Sequence, residues 1–138
     1  MTKTAVVIIG HQSERRLTGN ELMQNCLNSI TASKSIIPIV VDNYSFPHPL
    51  NVPSHLRITS DVPGLTGAWE IGVNYALETT GAEIIIISND DVVFSDEFFH
   101  QFISNGIDHH PQKDMRIFGP LSNGQEGYFW QKSNMPKP

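Results

Sequence analysis

Two adjacent carboxylates and an amide directly follow an isoleucine-rich run in this sequence. Asn89, Asp90 and Asp91 come after residues 83–88, which end in a serine. Neighbouring carboxylates repel each other unless a cation or hydrogen-bond donors lie beside them. Their oxygens suit Mg²⁺ or Mn²⁺, which typically binds one or two carboxylates together with substrate phosphates. The triplet predicts a metal and phosphate site, and the alternative is a turn that caps a following helix.

A glycine-containing segment stands where a helix is expected to begin. Gly64, Gly67 and Ala68 follow the short apolar run 56–59. Small residues allow close backbone approach, and a helix amino terminus attracts phosphate. No Gly-Lys-Ser/Thr follows, so this segment is not a P-loop. The loop after the first strand has one glycine and lacks the further glycines of a dinucleotide-binding motif. The alternative is that these glycines serve only turning and close packing.

A third feature is the Asp42-Asn43 pair at the end of the apolar run 36–41. An aspartate at the end of a central strand can accept hydrogen bonds from a base or a ribose. The alternative is a turn in which the aspartate side chain binds nearby backbone groups, which is common for this residue type.

The elements that must position these residues alternate between strand and helix. Apolar runs with no polar alternation predict buried parallel strands, and they cover residues 5–9, 36–41, 56–59 and 83–88, with a weaker run at 115–118. Apolar periodicity predicts helices over residues 19–33, 66–79 and 95–106. We expect an α/β fold, with an open, mostly parallel, Rossmann-like sheet flanked by helices.

In such sheets, ligands bind outside the carboxyl ends of the strands. Segments that follow a strand therefore lie at this carboxyl edge, and segments that follow a helix lie at the opposite edge. The segments predicted at the carboxyl edge are residues 10–18, 42–55, 60–67, 89–95 and 119–127. All three chemical features described above fall among them.

Length and composition narrow the class of protein. The chain has 138 residues with a formal charge of −5, which predicts one globular domain, over residues 1–131 with a loose tail at 132–138, and makes nucleic acid an unlikely partner. Cys26 is the single cysteine and stands in an apolar helical stripe, where we expect it to be buried. With no signal-peptide pattern and no membrane-length apolar run, we expect a soluble, cytoplasmic protein.

The order of these motifs resembles the nucleotide-sugar half of family 2 glycosyltransferases, which have the GT-A fold. The family commonly reads Asn-Leu-Gly-Phe-Ala-Gly-Ala-Arg-Asn where this chain has residues 62–70. Gly64, Gly67 and Ala68 match, and Trp69 and Glu70 stand in place of the arginine and the second asparagine. Residues 117–123 are similar to the family's Val-Gly-Pro-x-x-Asn segment, and the resemblance spans about residues 4–124.

The resemblance implies that a sugar moves from a nucleoside diphosphate, a UDP-sugar in particular, to an acceptor hydroxyl with inversion. It assigns Asp42 to the uracil edge, Asn89 and Asp90 to ribose and diphosphate, and the ligation of Mn²⁺ or Mg²⁺ to Asp91, with Asp90 as a further ligand. The residues implied in nucleotide-sugar binding are Gly10, His11, Gln12, Ser13, Asp42, Asn43, Gly64, Gly67, Ala68, Asn89 and Asp90.

Inverting transfer also needs a general base that takes the acceptor proton. The family's base lies well downstream of the acidic triplet, and its usual Glu-Asp pair and Gln-x-x-Arg-Trp motif are absent from this chain. Glu126 is the candidate base because it belongs to a segment at the carboxyl edge, and Asp96 is a weaker candidate. Arg15 and Arg16 could meet the diphosphate, or they could be surface charges.

Other residues that could carry chemistry have plainer interpretations. His109 and His110 follow a helix, so we expect them at the edge opposite the ligand. Residues 128–130 are aromatic and could either stack on a sugar ring or cover the core.

Three hypotheses follow for the function. The first is a small metal-dependent glycosyltransferase, and the second is a nucleotide-sugar-binding module without catalysis. The third is an unrelated parallel-sheet protein, such as a nucleotidyltransferase or a subunit-interface domain, in which the acidic triplet only caps a helix. The chain could also form a homo-oligomer, in which a partner chain supplies acceptor contacts.

Overall fold

The structure is a computed structural model that describes residues 3–31, 35–95, 97–99 and 101. The chain divides into two units, Met1–Asp96 and Glu97–Pro138. All the strands and long helices named below belong to the first unit. In the second unit, the rings of Phe98 and Phe99 meet edge to face with centroids 5.2 Å apart.

The first unit is an α/β fold with a Rossmann-like parallel sheet. Its strands are β1 (Thr4–Gly10), β2 (Ile36–Asn43), β3 (Leu56–Ile58) and β4 (Ile84–Asn89), and its helices are α1 (Gly19–Thr31) and α2 (Gly64–Thr80). The strands pair in parallel in the order β3-β2-β1-β4. The predicted fold class is therefore confirmed, and the four predicted strands and the first two helices lie within a few residues of their expected bounds.

The central strand β1 is covered on both faces, with one helix on each. A Cβ on Gly72 of α2 would lie 2.5 Å from Val7 Cγ1, whereas a Cβ on Gly10 would collide with Met23 of α1. Residues 7 and 10 of a strand point to opposite faces because side chains alternate along it. The two helices therefore lie on opposite faces of the sheet, which explains why every residue of β1 is buried.

Helix α1 carries the apolar stripe that its sequence predicts. Met23, Cys26 and Ile30 are completely buried, and their spacing of three and four residues places them on one face. Cys26 is thus the buried thiol expected from the sequence. The predicted helix extends to residue 33; the structure describes it as far as Thr31, and residues 32–34 lie outside the described part.

Helix α2 faces the sheet with small residues. Ala68, Gly72 and Ala76 are its buried positions, spaced four residues apart. Leu77 lies off this face, with 49% of its surface exposed. Small side chains at these three positions let the helix axis approach the sheet closely. Gly81 ends the helix in a left-handed conformation, as its position predicts.

The strand order creates a crevice between β1 and β4. From β1 the chain moves to β2 and β3 on one side, and α2 then returns it to β4 on the other side of β1. The strand order therefore reverses between β1 and β4, and open α/β sheets commonly bind ligands in a crevice outside the strand ends at such a point. This strand order places the acidic triplet after β4 beside the loop after β1.

Several predicted elements fall outside the described residues. They include the strand expected at 115–118 and most of the helix expected over 95–106. The predicted domain boundary at residue 131 and the tail at 132–138 also lie outside the described residues, so they stay predictions. Within the residues that the structure describes, no helix is both long and apolar enough to cross a membrane.

Candidate functional site

The crevice between β1 and β4 contains a two-pronged ion pair. Arg16 Nη1 lies 2.7 Å from Asp90 Oδ2, and Nη2 lies 2.6 Å from Asp90 Oδ1. Nη1 also donates to the carbonyl oxygen of His11 at 2.5 Å. Only 3% of Asp90 is exposed. A guanidinium with two parallel hydrogen bonds to one carboxylate is the strongest geometry available to such a pair, so the loop after β1 is fixed to the end of β4.

This pair changes the electrostatics predicted for the acidic triplet. The hydrogen bonds that Arg16 donates to Asp90 raise the pKa of Arg16, and the charges of Asp90 and Asp91 add to that effect. The positive charge beside the two carboxylates is thus supplied by the protein itself. Arg16 was expected to be either a diphosphate contact or a surface charge, and its partnership with Asp90 was missed because 74 positions separate the two residues.

The other two members of the triplet face solvent. Asn89 ends β4, Asp91 follows in the turn, and both are exposed. Because Asp90 is neutralised by Arg16, Asp91 is the carboxylate of the triplet left available to a cation.

A divalent cation fits this turn only in part. Within the described residues, no three histidine, cysteine, aspartate or glutamate side chains converge as a metal-binding group. Mg²⁺ and Mn²⁺ sites of the kind expected here take one or two carboxylates and complete their shell with water and substrate phosphate. Asp91 therefore fits a cation that arrives with a diphosphate, and the proposed roles of Asp90 and Asp91 as metal ligands stay predictions.

Asp42 lies at the end of β2 with its carboxylate enclosed. Oδ1 accepts a short hydrogen bond from the Ser45 hydroxyl. Oδ2 accepts from the Leu50 N–H at 3.0 Å and lies 3.4 Å from Arg57 Nε. The residue is completely buried. Both carboxylate oxygens thus bind groups of the same chain, two of them in the loop after β2, as the turn-forming alternative predicts. Recognition of a uracil edge by Asp42 stays a prediction.

The loops after β1 and β2 are joined by a series of hydrogen bonds. His11 Nδ1 lies 2.8 Å from the Asn43 carbonyl oxygen, and since a carbonyl only accepts, Nδ1 carries the proton. The Gln12 N–H donates to Ser45 Oγ at 3.0 Å, and the Phe46 N–H donates to the Gln12 carbonyl at 2.9 Å. Three predicted site residues, His11, Gln12 and Asn43, therefore meet at one place.

Gly10 and Ser13 shape the loop after β1. A Cβ on Gly10 would collide with Met23, would lie 2.8 Å from Leu50 Cδ1, and would come within 3.8 Å of Asp90 Oδ2. Gly10 thus allows α1 and the loop after β2 to close around the ion pair. Ser13 exchanges two backbone hydrogen bonds with Arg16, at 3.1 and 3.0 Å, and this tight turn aims the guanidinium at the end of β4.

The glycine-containing start of α2 lies elsewhere along the carboxyl edge. It follows β3, whereas the acidic triplet follows β4, and these are the two outer strands of the described sheet. Strands are about 4.8 Å apart, so the ends of β3 and β4 are separated by roughly 14 Å. The sequence correctly predicts that the start of α2 and the acidic triplet lie at the same edge of the sheet. The structure joins the loops after β1, β2 and β4 there, but it does not bring the start of α2 to the acidic triplet.

The residues of this segment have packing roles. Gly64 has a φ of +65°, which favours glycine, and a Cβ on Gly67 would lie 2.8 Å from Pro63 Cβ. Ala68 is completely buried against the sheet. Trp69, which stands where the compared family has arginine, has a buried Nε1 without a hydrogen-bond partner among the described residues. Contact between this segment and a phosphate stays a prediction.

A shallow depression beside the loop after β1 includes two aromatic residues that were not among the predicted site residues. Its volume is about 390 Å³, and Tyr44 and Phe46 contribute exposed aromatic rings. The remaining lining residues belong to the loop after β1: His11, Ser13, Glu14 and Arg15. The signal in the sequence was the presence of two aromatic residues within three positions after Asn43.

The predicted catalytic bases lie outside the described residues. This holds for Glu126 and for Asp96, and likewise for His109, His110 and the aromatic residues 128–130. Their proposed roles stay predictions.

Comparisons with protein families, curated proteins and solved structures found no match to this chain. The likeness to family 2 glycosyltransferases therefore rests on the motifs and their order. The α/β fold and the junction of three loops at its carboxyl edge are what the structure adds to them.

Proposed function

We propose that this protein is a small metal-dependent glycosyltransferase that transfers a sugar from a nucleoside diphosphate to an acceptor hydroxyl. One observation carries the proposal. An exposed carboxylate, that of Asp91, directly follows the Arg16–Asp90 pair in the crevice between β1 and β4. Anionic ligands of parallel sheets bind at this position, and the motif order adds the chemical class.

Charge explains how an acidic protein could hold a diphosphate there. The chain has a formal charge of −5, so a polyanion needs local positive charge. Arg16 is engaged by Asp90, so the exposed Arg15 beside it is the arginine of this loop that could meet the diphosphate. Asp91 would hold Mn²⁺ or Mg²⁺ that comes with the donor, and the cation would neutralise charge on the diphosphate. UDP-sugars are the donors that the resemblance indicates.

The reaction moves one glycosyl group. The acceptor oxygen forms a bond to the anomeric carbon, the bond from that carbon to the diphosphate oxygen breaks, and the configuration inverts. The hydroxyl proton passes to a general base, for which Glu126 and then Asp96 are the candidates in the sequence. The acceptor itself is defined here only as a hydroxyl compound.

A second candidate function is nucleotide-sugar binding without transfer. Two carboxylates that were expected to contact the nucleotide already bind partners within the chain. Asp90 binds Arg16, and Asp42 binds Ser45, Leu50 and Arg57. A site in which these carboxylates are occupied could still bind a nucleotide through other groups, and catalysis would then be absent.

A turnover assay separates the two candidates. The protein is mixed with Mn²⁺ and a panel of UDP-sugars, and UDP release is measured with and without hydroxyl acceptors. We expect release that depends on Mn²⁺ and falls at least 100-fold in Asp91→Asn, since charge stabilisation of a leaving group is commonly worth two or more orders of magnitude. Glu78→Gln, an exposed change on α2, is the matched control and should keep full activity.

Three other results would count against transfer. Absence of UDP release with every donor, together with a rise in melting temperature on addition of UDP and Mn²⁺, would favour the binding module. Absence of both effects would contradict a nucleotide-sugar function. Equal turnover in Asp91→Asn and in the unchanged protein would show that Asp91 has been assigned wrongly.

A further inference from the structure

We propose that Tyr44 and Phe46 form the platform on which a nucleobase stacks, and that Asp42 positions this platform without touching the base. The proposal rests on the proposed function, because the nucleotide is the donor's. It departs from the role that the family resemblance assigns to Asp42. It also names residues that the motifs did not select.

The two rings are unusually accessible for their type. Phe46 is 62% exposed and Tyr44 is 36% exposed, and both line the depression of about 390 Å³. This volume lies within the range of sites for small ligands. Exposed aromatic side chains stack on nucleobases because every base offers a π-face. Two such rings within three residues, at the edge where parallel sheets bind ligands, favour a planar heteroaromatic ligand.

The backbone of the platform is held in a conformation that costs free energy. Tyr44 has a φ of +52°, in the left-handed region that residues with a side chain rarely adopt. Its N–H donates to the Ile58 carbonyl at 2.9 Å, which anchors the turn to β3. Strained residues persist where the surrounding contacts determine them, and they concentrate at binding sites.

Asp42 makes several of the contacts that hold this turn in its conformation. Its carboxylate accepts the Ser45 hydroxyl, and the same hydroxyl oxygen accepts the Gln12 N–H at 3.0 Å. The Phe46 N–H then donates to the Gln12 carbonyl at 2.9 Å. Through Ser45 and Gln12, Asp42 thus helps to fix the chain between the two aromatic residues and the backbone of Phe46. Because Asp42 is fully buried with both oxygens engaged, it cannot meet a base in this conformation.

His11 connects the platform to the ion pair. Its Nδ1–H donates to the Asn43 carbonyl, which leaves Nε2 of the neutral ring as an acceptor for a donor on the ligand. Its own carbonyl accepts from Arg16. A base on Tyr44 and Phe46 therefore places its diphosphate toward Arg16 and the turn that carries Asp91. This arrangement also puts the exposed Arg15 at the rim of the depression.

The test measures the affinity of the full chain for uridine, cytidine, adenosine and guanosine by calorimetry. We expect at least one nucleoside to bind, and Phe46→Ala to weaken the tightest of them about tenfold, because stacking on one aromatic side chain is typically worth that much. Phe46→Tyr, which keeps a ring, should stay within about twofold. Leu77→Ala removes an exposed apolar side chain in the last part of α2 and should leave affinity unchanged.

A second variant guards against an effect on folding. Phe46→Leu keeps apolar bulk without a ring, and it should lose affinity as Phe46→Ala does while keeping the melting temperature. The proposal is overturned if no nucleoside binds the unchanged protein. It is also overturned if Phe46→Ala or Phe46→Leu binds as tightly as the unchanged protein.

The outcomes for the base platform and for glycosyl transfer are distinguishable. If uridine affinity depends on Phe46 but no donor is turned over, the platform stands and the transferase proposal fails. If a UDP-sugar is turned over and Phe46→Ala leaves its KM unchanged, the transferase proposal stands and the platform is wrong. Inorganic pyrophosphate, which has no base, should bind the unchanged protein and Phe46→Ala equally.

Discussion

The acidic triplet derives its local properties from a residue far away in sequence. Two adjacent carboxylates require a compensating charge, and the sequence alone suggests a metal ion for that purpose. The structure supplies Arg16, whose guanidinium holds the buried Asp90 through two hydrogen bonds. The need for a cation could be predicted from residue types, but its source could not, because pairing across 74 positions depends on the strand order.

Removing the guanidinium should destabilise the fold. Arg16→Ala leaves Asp90 buried and without its charge partner. Because the Arg16 side chain is itself 33% exposed, we expect a loss of about 2 kcal/mol, which is below the cost of breaking a fully buried pair. Arg16→Lys keeps the charge but not the forked geometry, so we expect a smaller loss of about 1 kcal/mol. The free energy of unfolding, measured with urea, checks both values.

Arg15→Ala is the matched control, because Arg15 is the neighbouring exposed arginine. It should change the free energy of unfolding by no more than about 0.5 kcal/mol. If Arg16→Ala is as stable as Arg15→Ala, the ion pair contributes nothing to the closure of the crevice.

Asp42 illustrates a second difference between sequence and structure at this scale. The Val-Val-Asp-Asn pattern indicates a ligand contact or a turn, and residue types cannot choose between them. The carboxylate is enclosed because Ser45 and Leu50 return to it from the loop that follows. Side chains that fold back over a strand end leave no periodic signal in a sequence, so this arrangement became visible only in the structure.

At the scale of elements, the strands were the most predictable part of the chain. Uninterrupted valine and isoleucine runs match β1 and β2 closely because a strand covered on both faces needs apolar residues at every position. Helix α1 was predictable because Met23, Cys26 and Ile30 form a stripe. The sheet-facing side of α2 was not, since alanine and glycine give little hydrophobic signal.

Gly72 is the residue that sets how closely α2 packs on the sheet. Gly72→Ala would bring a Cβ to 2.5 Å from Val7 Cγ1 and 3.1 Å from Val41 Cγ2. Both valines are fully buried, so neither can move without disturbing β1 or β2. We expect a loss of about 2 kcal/mol in the free energy of unfolding, as overpacking outweighs the better helix propensity of alanine.

Thermal and urea unfolding of Asn74→Ala provide the comparison. Asn74 lies on the exposed side of the same helix, so this substitution gains propensity without a collision and should be neutral or slightly stabilising. A Gly72→Ala protein that is more stable than Asn74→Ala would contradict the close packing of α2 on β1.

At the scale of the molecule, the position of the site follows from the strand order. The alternation of elements predicted a parallel sheet and assigned each loop to one edge or the other. It did not predict which strands are neighbours, because connections of similar length can lead to either side of β1. The order β3-β2-β1-β4 makes β1 and β4 the point of divergence and separates the start of α2 from the acidic triplet.

We propose that a nucleoside diphosphate binds at the carboxyl edge around β1, with its base toward β2 and its diphosphate toward β4. The most direct measurement is a titration of the ¹⁵N-labelled protein with UDP and Mg²⁺, followed by amide chemical shifts. We predict shifts concentrated at residues 10–16, 43–46 and 89–91, and weaker binding when Mg²⁺ is removed with EDTA. Shifts confined to the opposite edge, around Lys3 and Glu83, or no shifts at millimolar UDP, would contradict the account.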